Sequence, residues 1–251
     1  MSEAYEAPKV PAFNLTDLDR KLLAMTDEEF VHHDWEDLKS IIGESSHSIN
    51  YPRSGKKISP HRVLRTIARN DLGALKRKPS DLRRYLAWTQ ETKAKYGSIM
   101  NYICQQRLRW QLPQDTASSA DSAVIQQSGP LVGFKNPRPF ADPEDYKILR
   151  NDWPYGLTPG ISHLVVWLRT PIAVQSEEGH LTDHSREMIN GFVRKTFADR
   201  LAKDLETFSD PDSHVLWFKN WVGLQSVRAL EHIHVLVRDV PEEILFEWSG
   251  E

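Results

Sequence analysis

The chain has 251 residues, a formal net charge of −3, 39% apolar residues and 27% charged residues. This length and balance allow a large apolar core and exclude a chain that is disordered throughout. No apolar run reaches the roughly 18 residues of a membrane span, and a single cysteine excludes an intramolecular disulfide. We therefore expect a soluble intracellular protein in the cytoplasm, with the nucleus as a second compartment and no membrane partner.

The charge is unevenly distributed along the chain. Residues 51–110 carry 15 Lys or Arg against 3 Asp or Glu, whereas the segments on both sides are acidic. Such a basic block either binds an anion or compensates the acidic segments, and both interpretations stay open. Because the whole chain is acidic and carries no recognition motif, we do not expect nucleic acid as a partner.

The first half of the chain is predicted to be helical. Residues 1–13 hold two prolines and no apolar periodicity, which indicates a flexible tail. Residues 14–110 follow with apolar side chains at helical spacing, and Gly97 interrupts the pattern. One face of a helix predicted at 58–70 carries Arg62, Arg65 and Arg69.

The second half changes character after a predicted flexible linker at 111–137, which is small, polar and punctuated by proline and glycine. An amphipathic helix is predicted at 181–208, with Leu201 and Leu205 in its apolar stripe. Strands, this helix and strands again favour an α+β fold with an antiparallel sheet, in one integrated domain formed by 138–251 and the helical half. The predicted strands are 145–149, 161–168, 214–219 and 230–238.

Three histidines lie in these predicted strands. His232 and His234 alternate along one strand, so both side chains point to the same face about 7 Å apart. His163 shares its strand face with the apolar Val165 and Trp167. Histidine exchanges protons near neutral pH and a strand holds it rigidly, so all three are candidate catalytic residues. The alternative is that the rings are buried in the core and satisfied by hydrogen bonds.

The same three histidines offer a second chemistry. Three imidazoles could hold zinc or another divalent metal and leave one position open for water, as catalytic zinc sites do. We expect no cofactor and keep a His-liganded metal hydrolase as an alternative. No P-loop, dinucleotide fingerprint, His-Glu-x-x-His or cysteine-rich zinc pattern occurs in the chain.

The loop before the last predicted strand reads NWVGLQSVRALEHIHV and resembles the histidine-triad nucleotide-binding proteins. In that family the middle histidine attacks an α-phosphorus, and the resemblance implies this role for His232, followed by His234 as the third histidine. It implies that Gln225 and Ser226 hold phosphate oxygens. The chain departs from the pattern at the first triad position, which is Leu230. The implied fold is a histidine-triad-like antiparallel sheet with one long packed helix.

A second resemblance covers most of the chain and connects it to the fungal N-acetylglucosamine-induced protein 1 family. It is carried by DLRRYLAWTQETKAKYGSIMNYICQQRLRW, DYKILRNDWPYGLTPGISHLVVWLRT and HVLWFKNWVGLQSVRALEHIHVLV. These long, tryptophan-rich blocks imply a fungal protein linked to amino-sugar exposure. The conserved region of that family is a domain of unknown function, so the resemblance implies no reaction.

We therefore expect a protein that binds, and hydrolyses or transfers, a phosphorylated sugar or nucleotide in connection with an N-acetylglucosamine response. Non-enzymatic ligand binding or regulation is the alternative. Asp152 is a candidate acid, base or hydroxyl acceptor and Trp153 a candidate stacking platform, although both have ordinary structural explanations. The candidate ligand-binding residues are Gln225, Ser226, Asn220, Asp152, Trp153, Arg62, Arg65 and Arg69.

Overall fold

The computed structural model describes residues 15–43, 71–111, 132–175, 180–221, 224–225, 227–228 and 230–251. Arg62, Arg65, Arg69 and Ser226 lie outside these ranges, as do the tail at 1–13 and most of the predicted linker. No helix within the described ranges is long and apolar enough to cross a membrane.

The helices begin and end where the local sequence supplies caps. Thr16 and Asp19 form a reciprocal capping box at the first helix. Thr182 accepts from the Ser185 amide at the start of the longest helix of the second half. The described helices are α1 (Asp17–Ala24), α2 (Trp35–Ile42), α3 (Pro79–Tyr96), α4 (Ile99–Tyr102), α5 (Asp183–Val193), α6 (Asp199–Leu201) and α7 (Glu242–Ser249), with π-helical turns at Ile103–Leu108 and Arg194–Ala198.

Four antiparallel strands form one sheet in the order β1-β2-β4-β3. Because β2 and β4 lie at its centre, their side chains are buried on both faces, which explains their nearly continuous apolar sequences. The register places Val165 opposite His234 and Trp167 opposite His232. The strands are β1 (Tyr146–Arg150), β2 (Ile161–Leu168), β3 (Val215–Phe218) and β4 (Glu231–Arg238).

Helices cover both faces of the sheet. One face packs against the helices of the second half through side chains such as Ile189, Phe197 and Leu245, each almost fully buried. The other face carries the histidines, and the helical half covers it in two places. The π-helical turns after α4 pack near Trp167, and α2 packs near Leu216. The histidines therefore lie between the sheet and the helical half.

The α+β class, the antiparallel sheet and the four strands are confirmed, with strand ends shifted by at most one residue. The prediction of a single helix at 181–208 is wrong at its C-terminal end. The chain leaves the helix after Leu201, and the Asp204 side chain accepts from the Thr207 amide to start a separate turn. Leu205, predicted to be buried, is 61% exposed, and Phe208 takes the buried position.

The helical half is less continuous than its sequence predicts. Residues 25–34 and 75–78 are not helical, and 72–74 form only a 3₁₀ turn. Residues 132–137, at the end of the predicted linker, are held in place. Asp145 accepts from the backbone amides of Lys135 and Asn136, and Val132 is buried at 2% exposure.

Candidate functional site

The pairing of β2 with β4 brings the three predicted histidines onto one face of the sheet. His163 Nε2 lies 2.9 Å from His234 Nδ1, although the two residues are 71 positions apart. The ring of His232 lies 5.3 Å from that of His234, centroid to centroid. All three are buried, with exposed fractions of 6% for His163, 4% for His232 and 8% for His234.

The surroundings of these rings are mostly aromatic. Tyr155 stacks on His163 with ring centroids 5.3 Å apart, and Phe218 stacks on His234 at 4.8 Å with an interplanar angle of 12°. Trp167 lies 4.7 Å from His232. These contacts fix the ring orientations, and they also remove water from the imidazoles.

Burial lowers the pKa of all three histidines, because a charged imidazolium loses its hydration there. The pKa of His163 falls to about 3 and that of His232 to about 4. The pKa of His234 falls well below its ordinary value, first through burial and then through the nearby histidines and cations. All three rings are therefore neutral near pH 7.

His232 has a defined tautomer. Its Nδ1 lies 2.8 Å from the backbone carbonyl oxygen of Leu230. A carbonyl oxygen only accepts, so Nδ1 carries the proton and donates it. In the neutral ring this leaves Nε2 unprotonated, with a lone pair that can accept a proton or attack an electrophile. No described residue makes a hydrogen bond to Nε2.

The loop between β3 and β4 adds amide groups beside the histidines. Asn220 is 4% exposed, and its Nδ2 lies 3.2 Å from His234 Nε2. The Asn220 Oδ1 is buried and has no hydrogen-bond partner among the described residues. Gln225 donates from Nε2 to the Asn220 backbone oxygen at 2.7 Å, so it supports this loop. Ser226, its predicted companion, lies outside the described residues.

Three residues near the histidines were not predicted from the sequence. Asn151 places its Nδ2 3.2 Å from both ring nitrogens of His163. Arg77 stacks over Tyr155 at 5.5 Å, and Lys219, whose side chain is 4% exposed, pairs with Glu231 at 3.5 Å. Asn151 carried a local signal, because asparagine after a strand and before a turn often binds the backbone. For Arg77 and Lys219, no local sequence pattern distinguished them from the other basic residues of the chain.

Two predicted residues lie apart from the histidines. Asp152 pairs with Arg107 at 2.9 Å, and burial raises the pKa of its carboxyl group although Arg107 opposes that shift. Trp153 packs between Tyr85 and Trp88 with centroid distances of 5.5 and 5.3 Å. Neither side chain has a described contact with the three histidines.

The metal alternative is not favoured by this geometry. His163 and His234 point ring nitrogens at each other at hydrogen-bonding distance, and His232 uses one nitrogen for the Leu230 carbonyl. No group of three or more His, Cys, Asp or Glu among the described residues is arranged to hold a metal ion.

The fold and the site define a class of α+β protein in which helices enclose a histidine-bearing face of a four-stranded antiparallel sheet. Residues 60–238 match the family model described as "Protein of unknown function (DUF3605)". The chain belongs to this family.

Two curated relatives are similar over most of their length. The chain is 28% identical to N-acetylglucosamine-induced protein 1 of Candida albicans over 183 residues, 72% of this chain and 68% of the relative. It is 27% identical to uncharacterized protein YPL067C of Saccharomyces cerevisiae over 175 residues, 70% of this chain and 76% of the relative.

A solved structure named "Crystal Structure of HTC1" is 27% identical with a TM-score of 0.44, covering 73% of this chain and 85% of that one. The resemblance to the N-acetylglucosamine-induced protein 1 family is confirmed by the curated relative. The likeness to histidine-triad proteins is not confirmed by these comparisons.

Proposed function

We propose that the chain binds a phosphorylated sugar or nucleotide at the end of the histidine face next to Asn220, and that His232 reacts with its phosphorus. The observation that carries the proposal is the tautomer of His232, whose Nδ1 is held by the Leu230 carbonyl. This leaves a neutral ring with a free lone pair on Nε2, the form required of a nucleophile or general base.

In the reaction, Nε2 forms a bond to phosphorus while the bond from phosphorus to the leaving oxygen breaks. The leaving oxygen takes a proton from water. A second water molecule then hydrolyses the phosphorylated imidazole, which returns His232 to its neutral form. The Leu230 carbonyl accepts from Nδ1–H throughout, and this hydrogen bond strengthens when the ring becomes positively charged.

Two cations favour an anionic ligand at this place. The charges of Arg77 and Lys219 both lower the pKa of His234, so both act on the interior of the site. Lys219 also forms its ion pair with Glu231, whose carboxyl pKa is raised by burial. A phosphate near these groups would gain charge-assisted hydrogen bonds in a region from which water is largely excluded.

The name of the Candida albicans relative supports amino-sugar phosphates as the first ligands to test. Non-enzymatic binding is the second candidate function. It is favoured by the 4% exposure of His232 and by Leu230 at the first triad position, because both restrict access and chemistry at the ring.

The test uses the purified full chain with glucose 6-phosphate, N-acetylglucosamine 6-phosphate, AMP and ADP, measuring binding by calorimetry and phosphate release by a colorimetric assay. His232→Asn keeps a donor for the Leu230 carbonyl but removes Nε2. We expect it to bind at least one of these ligands as the original chain does and to lose at least 100-fold in turnover. His184→Gln, on an exposed position of α5, is the matched control and should change neither.

Binding without turnover in the original chain would favour the non-enzymatic candidate. If none of the four ligands binds at millimolar concentration, the proposal is wrong.

A further inference from the structure

A continuous row of polar side chains runs across the histidine-bearing face of the sheet. It runs from Asn151, after β1, through His163 on β2 and His234 on β4 to Asn220, after β3. The successive contacts are 3.2, 2.9 and 3.2 Å. Three of the four residues are at most 8% exposed, so hydrogen-bond donors and acceptors along the row must match.

The direction of the row is set at Asn151. The Trp153 amide donates to Asn151 Oδ1 at 2.9 Å, so the NH₂ group of Asn151 faces His163. A neutral imidazole has one N–H and one acceptor nitrogen. Asn151 Nδ2 lies 3.2 Å from both ring nitrogens, so it can donate to whichever one is unprotonated. A proton on Nδ1 would have no acceptor among the described residues, whereas a proton on Nε2 has His234 Nδ1 at 2.9 Å. The proton therefore belongs on Nε2, where it donates to His234 Nδ1.

The proton position on His163 also determines the proton position on His234. His234 accepts at Nδ1, so its own proton is on Nε2, where it needs an acceptor. Asn220 is the neighbour at that nitrogen. Amide oxygen and nitrogen have the same shape, so hydrogen bonding decides which one faces the ring. The Asn220 oxygen must therefore face His234, and its NH₂ group takes the other amide position, which is buried and has no hydrogen-bond partner among the described residues.

We propose that this row is a positioning relay, in which Asn151 orients His163 and His234 so that Asn220 presents a buried N–H donor to the ligand. The inference rests on the proposed function for the identity of the ligand, and it adds what the ligand must bring. The group that meets Asn220 must be a hydrogen-bond acceptor, namely an oxygen of the phosphate.

A buried donor without a partner is costly, so an acceptor bound there supplies a hydrogen bond that no described residue of the chain supplies. This also explains a polar row in a region otherwise filled by aromatic rings. An ammonium group of a ligand has donors and no acceptor, so it would meet a donor at this point and would be rejected.

The direct test needs no ligand. Nitrogen-15 NMR of the histidine-labelled full chain at pH 7.5 distinguishes the two neutral tautomers of each ring. We expect His163 and His234 protonated on Nε2 and His232 protonated on Nδ1. Protonation of His234 on Nδ1 would overturn the relay.

Two substitutions separate positioning from simple packing. In Asn151→Asp, the carboxylate oxygen that replaces NH₂ can only accept, so His163 should move its proton to Nδ1, and unchanged tautomers would contradict the proposal. Asn220→Asp keeps an acceptor for His234 but removes the donor, so we expect the histidine tautomers to persist and inorganic phosphate to bind at least 10-fold more weakly. Equal phosphate affinity in Asn220→Asp would also overturn it.

The two proposals fail differently. Tautomers as expected in a chain that binds none of the four phosphorylated ligands would leave the orientation of the relay standing and refute the proposed function. Binding of one of these ligands by a chain with His234 protonated on Nδ1 would refute the relay and leave the proposed function standing.

Discussion

At the scale of single residues, Gly156 shows how closely the loop over the histidines is packed. Its neighbour Tyr155 stacks on His163, and a Cβ at Gly156 would overlap the Phe30 ring and approach the Lys78 backbone nitrogen at 3.3 Å. We expect Gly156→Ala to destabilise the fold by about 1–3 kcal/mol in urea unfolding, as overpacking does. Gly191→Ala is the control, because α5 leaves open space there, and it should stabilise by about 0.5–1 kcal/mol. Equal effects of the two substitutions would show that the contact with Phe30 relaxes freely.

At the scale of elements, Arg107 joins three parts of the chain. From the π-helical turns it binds Asp152 in the loop after β1, at 2.9 Å, and Glu251 after α7, at 2.7 Å. Its side chain is 21% exposed, so removing it leaves two partly buried carboxylates without a cation. We expect Arg107→Ala to cost about 1–2 kcal/mol in the free energy of unfolding, less than a fully buried pair would. Arg84→Ala, which breaks the exposed pair with Asp81, should cost less than about 0.5 kcal/mol. A cost for Arg107→Ala as small as that of the control would mean that these elements are held by apolar packing alone.

At the scale of the whole molecule, enclosing three neutral histidines makes the fold sensitive to acid. The pKa of each histidine is lower in the folded state than the unfolded value of 6.5. It is about 3 for His163 and about 4 for His232, and the pKa of His234 also lies well below 6.5. Between pH 6.5 and 4 the unfolded chain therefore binds more protons, and stability falls as pH falls. Urea unfolding should give constant stability above about pH 7 and a decline below pH 6.5 of up to about 1.4 kcal/mol per pH unit for each histidine. His163→Gln removes one of the three titrating groups, so it should reduce the slope of stability against pH by the contribution of one proton. Stability that stays constant from pH 7 to 5 would show that the rings are hydrated.

The strands, their faces and the antiparallel class could be predicted from the sequence, because short apolar runs bounded by turns, and helical caps, are local patterns. It also placed His232 and His234 on one face, since two residues on one strand need no knowledge of the partner strand. The contact between His163 and His234 could not be predicted in this way, because it depends on the register of β2 on β4, which joins residues far apart in sequence. The same holds for Asn151, Arg77 and Lys219, whose importance comes from burial and from neighbours on other elements. Leu205 shows the reverse case: its place in an apolar helical pattern predicted burial, but the helix ends before it and the side chain is exposed. The ion pair of Asp152 with Arg107 could likewise not be predicted from the local sequence.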